Sequence, residues 1–112
     1  MKDKIEFSEF LEIEKKLDIR MGTITEVEMM EKSDKMLKLT VDFGTETRTV
    51  MTNIGNRIGE KSIVDCQMPF IMNLQPAKIM GVESTAMIMV VENQDGELEI
   101  KRSAYSNGAK LL

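Results

Sequence analysis

Apolar and polar residues alternate from Leu37 to Phe43. Leu37, Leu39, Val41 and Phe43 fall on one side and Lys38, Thr40 and Asp42 on the other. A period of two predicts a strand with one face in a core and one in solvent. The same period runs through Leu17, Ile19 and Met21, set against Asp18 and Arg20, and resumes out of step at Ile24, Val27 and Met29 after Gly22. A glycine inside a long strand, with the apolar set displaced beyond it, predicts a bulge or sharp bend at that point. A small closed barrel needs such a bend to turn a corner. A third strand is expected near 46–52 and a fourth over 62–72, where Pro69 demands an edge position or a bulge. Residues 53–61 read as a loop or a single helical turn. AKIMGV (77–82) and STAMIMVV (84–91) read as two further extended pieces. Asp95-Gly96 between apolar runs predicts a hairpin, and the apolar ending YSNGAKLL predicts a docked terminus.

Only residues 4–16 carry helical spacing. Phe7, Phe10 and Leu11 form an apolar stripe with Glu14 beside it. Asp3 and Glu6 have capping-box spacing, and Ser8 is a competing start. The stripe either seals one end of the domain or meets a second subunit. The sum of five or more short strands and one helix points to an all-β barrel or sandwich. The pattern by itself leaves an OB-fold, an SH3-like barrel and a small sandwich open.

Composition narrows the chemistry. The 112 residues suit one domain, 1–112, and 42% apolar content suits one core. With no histidine, no Ser-His-Asp or Cys-His arrangement can form. The single Cys66 allows neither an intramolecular disulfide nor a structural zinc site, and packing as a small hydrophobe is its expected role. No catalytic constellation or glycine-rich nucleotide loop is present, so a non-enzyme without metal or cofactor is expected. No apolar run approaches the roughly 20 residues of a membrane span. The charged N-terminal segment lacks the apolar core of a secretory signal, which makes the cytoplasm the expected location. A net charge of −4 argues against indiscriminate nucleic-acid binding but allows a local basic patch. The eleven methionines read first as adaptable core filler.

Four strings then stand together in order: LDIRMGTI (17–24), SDKMLKLTVDFG (33–44), NLQPAKIMGVESTAM (73–87) and NGAKLL (107–112). Over roughly residues 7–112 they resemble the tRNA-binding-domain family. That family includes freestanding tRNA-binding proteins, the CsaA secretion-chaperone group and C-terminal appendages of methionyl-tRNA synthetases. The resemblance implies an OB-fold barrel (17–91) with an N-terminal helix (1–16) and a C-terminal hairpin extension (92–112). It also implies homodimerisation through the two terminal segments, and binding of tRNA by its structure rather than its sequence. Three departures weaken the implied tRNA affinity more than the implied fold. The loop before Asp34-Lys35 reads EKSDK, Ala77 stands where a basic residue is usual, and Ala86 stands where glycine is usual.

The residues implied to meet tRNA are Lys35, Lys38, Asn73, Lys78, Ser84 and Met87, with Arg20 as a further candidate. Lysines would act as point charges toward phosphates. Asn73 and Ser84 would give directional hydrogen bonds, and Met87 a soft apolar contact to an unstacked base. Each also has a plain structural alternative. The lysines could lie on a solvated face, Asn73 and Ser84 could tie down their own turns, Met87 could fill the barrel, and Arg20 could pair with Asp18 or Asp42. Arg48 and Arg57 read as surface residues. Phe7, Phe10, Leu11, Leu111 and Leu112 are the expected dimer contacts. Partners follow: tRNA, a second copy, and either an aminoacyl-tRNA synthetase or, in a CsaA-like chaperone, unfolded polypeptides or preproteins bound for export. The chaperone alternative calls for an apolar patch among Met68, Met72, Met80, Met87 and Met89.

Overall fold

The long bent strand β1 (Ile19–Met29) organises the molecule. It follows helix α1 (Phe7–Glu14) and precedes β2 (Leu37–Asp42) and β3 (Thr47–Thr52). A short 3-10 turn (Glu60–Ile63) leads to β4 (Gln67–Ile71). Then come β5 (Ala77–Ile79), β6 (Val82–Ser84), β7 (Met87–Ile88), β8 (Val91–Glu92) and β9 (Leu98–Glu99). This computed structural model describes the backbone of residues 1–112 and every side chain except those of Glu60 and Lys61.

The main sheet is antiparallel in the order β3-β2-β1-β4-β7. β1 can serve two neighbours because its first half pairs with β4 and its second half with β2. The register slips by one residue between Ile24 and Glu26, so the bulge expected at Gly22 lies at Thr25 instead. Gly22 has a different duty. A Cβ there would lie 2.5 Å from Phe43 Cε1 and 2.7 Å from Val41 Cγ1. Phe43 cannot yield, because its ring stands edge-on to Phe70 at 5.2 Å and 87° inside the core. Gly22→Ala is therefore expected to destabilise the fold by about 1–3 kcal/mol through overpacking, read as a lower midpoint in urea with an unchanged slope.

The far edges nearly meet and close the barrel. The Thr85 amide donates to Thr49 O (3.2 Å), and the Met51 amide donates to Ser84 Oγ (3.0 Å). Inside lie Ile24, Leu37, Leu39, Val41, Val50, Ile63 and Phe70, all fully buried. This is an OB-type barrel, the fold class expected from the strand pattern and the four strings.

Several local expectations need correction. The helix is shorter than 4–16, running from Phe7 to Glu14, and its N-cap is Glu6, which makes no side-chain capping bond. The strand expected over 62–72 begins only at Gln67, because Ile63 closes the 3-10 turn and Asp65 takes φ +66°. Pro69 sits inside the sheet rather than at an edge, opposite Met21. The position tolerates proline because Met21 turns its carbonyl away from β4 to accept from the Gly108 amide at 2.8 Å, so β1 requires no N–H from residue 69. On its other side Pro69 only accepts, from the Met89 amide at 2.9 Å, and the two-residue β7 ends just before it.

The hairpin expected at Asp95-Gly96 forms between β8 and β9. Its turn is held by Asn93 Oδ1, which accepts from the amides of Asp95 and Glu97 at 3.0 Å each. Residues 100–112 then cross the outside of β4 and run beside β1. Three backbone bonds fix them there: Gly108 N–H to Met21 O, Met21 N–H to Ala109 O and Leu111 N–H to Ile19 O, at 2.8–2.9 Å. Helix α1 buries none of its residues against the barrel. Phe7 and Phe10 stack on each other at 6.3 Å and, like Ile5, Leu11, Ile13 and Leu17, stay exposed. No helix among the described residues is long and apolar enough to cross a membrane.

Candidate nucleic-acid interface

Between β1 and β2 the chain makes a tight turn over residues 30–36. Ser33 Oγ accepts from the Lys35 amide (3.2 Å) and the Met36 amide (2.9 Å), which fixes the turn and leaves the Lys35 side chain in solvent. Lys35 O accepts from the Gly55 amide at 2.7 Å and so ties the turn to the loop after β3. Across the mouth of the barrel the β5–β6 hairpin turns at Met80-Gly81, both with positive φ, the backbone of a tight two-residue hairpin. A groove of about 330 Å³ separates the two, lined by Met36, Met51, Ile54, Ile79, Met87 and Val90 together with Thr52 and Asn53. A smaller recess of about 110 Å³ adjoins it beneath Leu74, Ala77 and Met87. Barrels of this type bind oligonucleotides on the face of their second and third strands, between these two loops.

The expected site residues divide. Lys35, Lys78 and Met87 are exposed at the groove or one residue from its lining, and Lys38 is half-buried on β2. None of the three lysines has a carboxylate within ion-pair distance among the described residues. Lys38 does stand directly across from Glu28, and Lys78 from Glu83, in the strand registers. Both positive fields are thereby weakened at short range, and Lys35 has no such neighbour across a ladder.

The other three are engaged within the chain. Ser84 is 7% exposed, and its hydroxyl accepts from Met51 N–H and donates to Ala86 O (3.3 Å), so it helps close the barrel while its side chain lines the small recess beside the groove. Asn73 uses both ends of its amide on the junction between α1 and β1: Oδ1 accepts from the Asp18 amide at 3.0 Å and Nδ2 donates to Lys16 O. Arg20 pairs with Asp18 at 2.9 Å and reaches toward Gly108 O.

Arg48, expected at the surface, is a half-buried clamp on the barrel end. Its Nη1 donates to Met72 O (2.8 Å) and Thr85 O (3.0 Å), and Glu46 holds its other edge. Arg57 fastens the β8–β9 hairpin through Glu92 Oε2 (2.6 Å) and Gly96 O. Of the methionines expected in an apolar patch, Met68 and Met72 are buried, and Met80, Met87 and Met89 are exposed. Cys66 is buried as a small hydrophobe. Of the groove lining the sequence reading had singled out Met87 alone; two of the residues it passed over, Met36 and Ile79, each directly follow a lysine of the recognised strings.

A nearly closed five-strand barrel with an apolar groove and nearby lysines defines the class as a small OB-fold binding domain. Comparison with known proteins sharpens this. The model of a putative tRNA binding domain matches residues 19–108, and the chain belongs to that family. It is 42% identical to a methionine–tRNA ligase of Bacteroides fragilis over 96 residues, which cover 86% of this chain and 14% of the ligase. It is 40% identical to that of Porphyromonas gingivalis over 98 residues, again 14% of the ligase. The chain thus spans about one-seventh of the curated relatives it matches. Among solved structures, a MetRS-related protein from Pyrococcus horikoshii superposes with a TM-score of 0.82 at 28% identity, covering 99% of this chain and 100% of that one. The chaperone CsaA of Bacillus anthracis shares the fold at a TM-score of 0.75 and 22% identity, over 98% of this chain and 100% of that one.

Proposed function

We propose that this domain is a non-catalytic, cytoplasmic tRNA-binding module that works as a homodimer and recognises the shape of tRNA. It places an unpaired base in the Met36–Ile79–Met87 groove and backbone phosphates against Lys35, Lys38 and Lys78. The observation that carries the reading is the groove itself, framed by the two loops that barrels of this type use, within a chain of the tRNA-binding family. The relatives' name suggests a methionyl-tRNA synthetase as the enzyme served. A weak tRNA site joined to a synthetase raises the local tRNA concentration without new chemistry.

Dimerisation is supported by α1. Phe7, Phe10 and Leu11 stay exposed among the described residues, and a second copy would hide them in an isologous contact, with Leu111 and Leu112 beside them. Light scattering at micromolar concentration should give twice the chain mass, and Phe7→Ser/Phe10→Ser should return it to a single chain. A wild-type mass of one chain would refute this assembly.

One observation favours a second reading. The same groove is apolar and methionine-rich, and such surfaces adapt to varied apolar partners, as an unfolded polypeptide or preprotein would require. Titrating the protein with tRNA and with an unfolded peptide at two salt concentrations separates the two. The tRNA reading predicts that tRNA binds and weakens as salt rises, whereas peptide affinity indifferent to salt, with no tRNA binding, would replace it by the chaperone reading.

A further inference from the structure

The groove at the barrel mouth is apolar on nearly every side, and its polar lining residues stand next to each other at Thr52 and Asn53. Sites that orient a ligand are built this way, with a few polar groups placed among many apolar ones. Asn53 is exposed, and its carboxamide makes no hydrogen bond within the chain among the described residues. Three other asparagines serve the fold instead. Asn73 holds the junction of α1 and β1, Asn93 the β8–β9 turn, and Asn107 the bonds to Thr23 and Gln67.

The backbone that carries Asn53 is fixed on both sides. Before it, Thr52 ends β3 in register with Leu37 of β2. After it, Ile54 is buried and the Gly55 amide donates to Lys35 O at 2.7 Å. A Cβ on Gly55 would lie 2.7 Å from that same oxygen, so the two loops touch with no side chain between them. This contact brings the loop of Asn53 against the turn that presents Lys35 and, one residue on, Met36 of the groove wall. Charge for a phosphate, an apolar surface for a base face and an amide for a base edge therefore sit on one rigid junction. A group held in place before binding has little ordering cost left to meet.

We propose that Asn53 is a specificity-determining residue of the groove, its carboxamide reading the edge of the unpaired base that lies on Met36 and Met87, and that it favours adenine. This rests on the tRNA-binding reading above. A carboxamide presents an N–H donor beside a carbonyl acceptor. Adenine offers the complement on both of its edges, N6–H with N7 and N6–H with N1, and fits whichever edge enters. Guanine shows two acceptors, O6 and N7, on one of its edges, and the pyrimidines have a single matching edge. Shape then decides where tRNA docks, and Asn53 decides which of its unpaired bases settles in the groove.

The test titrates the intact protein with four pentaribonucleotides, UUXUU with X = A, C, G or U, and follows the Met36 and Met87 methyl resonances. UUAUU should bind about fivefold or more tightly than each of the others. Asn53→Ala should bring all four within about twofold of one another. It should leave the log–log salt slope for tRNA unchanged, because a neutral side chain releases no counterion. Asn53→Gln, which keeps the amide, should keep adenine first. Lys35→Ala should weaken all four alike and lower the slope by about 0.7. A purely structural role for Asn53 would instead weaken the four pentamers equally in Asn53→Ala, and that result would overturn the proposal. So would equal affinity of the wild type for all four, or binding of tRNA with no binding of any pentamer, and the tRNA reading would survive each of these. Absence of tRNA binding to the wild type would remove both.

Discussion

Gly108→Ala is expected to destabilise the domain by about 2–4 kcal/mol, lowering the thermal midpoint by roughly 8–16 °C. Gly108 has φ +88°, and a Cβ there would lie 2.6 Å from Phe43 O. The reciprocal contact is just as close: Gly44 has φ +91°, and its Cβ would lie 2.8 Å from Asn107 O. Two backbone turns therefore interlock with no room for a side chain between them, and backbone cannot rotate aside as a flexible side-chain tip would. The left-handed conformation costs alanine about 1–2 kcal/mol, and the collision with fixed backbone adds to it. The damage should be local at first. Hydrogen exchange at Met21, Gly108 and Leu111, whose amides bind this segment to β1, should accelerate together while Leu39 and Val50 stay protected. Equal loss at all five positions would mean that the segment is integral to the whole barrel rather than a strap upon it.

The largest functional effect is expected from Lys35→Ala/Lys38→Ala/Lys78→Ala. Each lysine that neutralises a phosphate contributes about 0.7–0.9 to the log–log salt slope. At 0.1 M salt, three of them correspond to roughly 100- to 500-fold in affinity for tRNA. Singly, Lys35→Ala should have the greatest effect, because Glu28 faces Lys38 and Glu83 faces Lys78 across their strand pairs. Equal effects from all three would show that those carboxylates do not matter to the bound state. An unchanged affinity in the triple variant, with the barrel intact by circular dichroism, would remove these lysines from the interface.

Much of the barrel was legible in the sequence because strand alternation is a local signal. Leu37, Leu39 and Val41 announce the inner face of β2 in six consecutive residues. Features set by distant partners were not legible. The tolerance of Pro69 depends on the Gly108 amide satisfying Met21 O, thirty-nine residues further along. Arg48 looks like any surface arginine until Met72 O and Thr85 O are brought to it. The polar residues of the NLQPAKIMGVES string show the same limit. A hydroxyl or amide in a motif looks alike whether it faces a ligand or the protein's own backbone. The partners of Asn73 and Ser84 lie 55 and 33 positions away. Only the exposure of Lys35 and Lys78 was legible, because a long charged side chain on a turn or an outward strand position has few buried places to go. NGAKLL, read as a docked apolar ending and as part of a resemblance, has its physical reason in the Gly44–Gly108 interlock and the Asn107 bonds to Gln67 and Thr23.

The central claim is that tRNA enters the groove between the β1–β2 turn and the β5–β6 hairpin. Methionine methyl groups report on it directly, because Met36 and Met87 line the groove while Met21 and Met68 are buried elsewhere in the barrel. With protein labelled at the methionine methyl carbons and titrated with tRNA by NMR, the Met36 and Met87 resonances should move or broaden first, with Met21 and Met68 unchanged. Binding of tRNA that leaves the Met36 and Met87 methyl signals where they were would contradict the account.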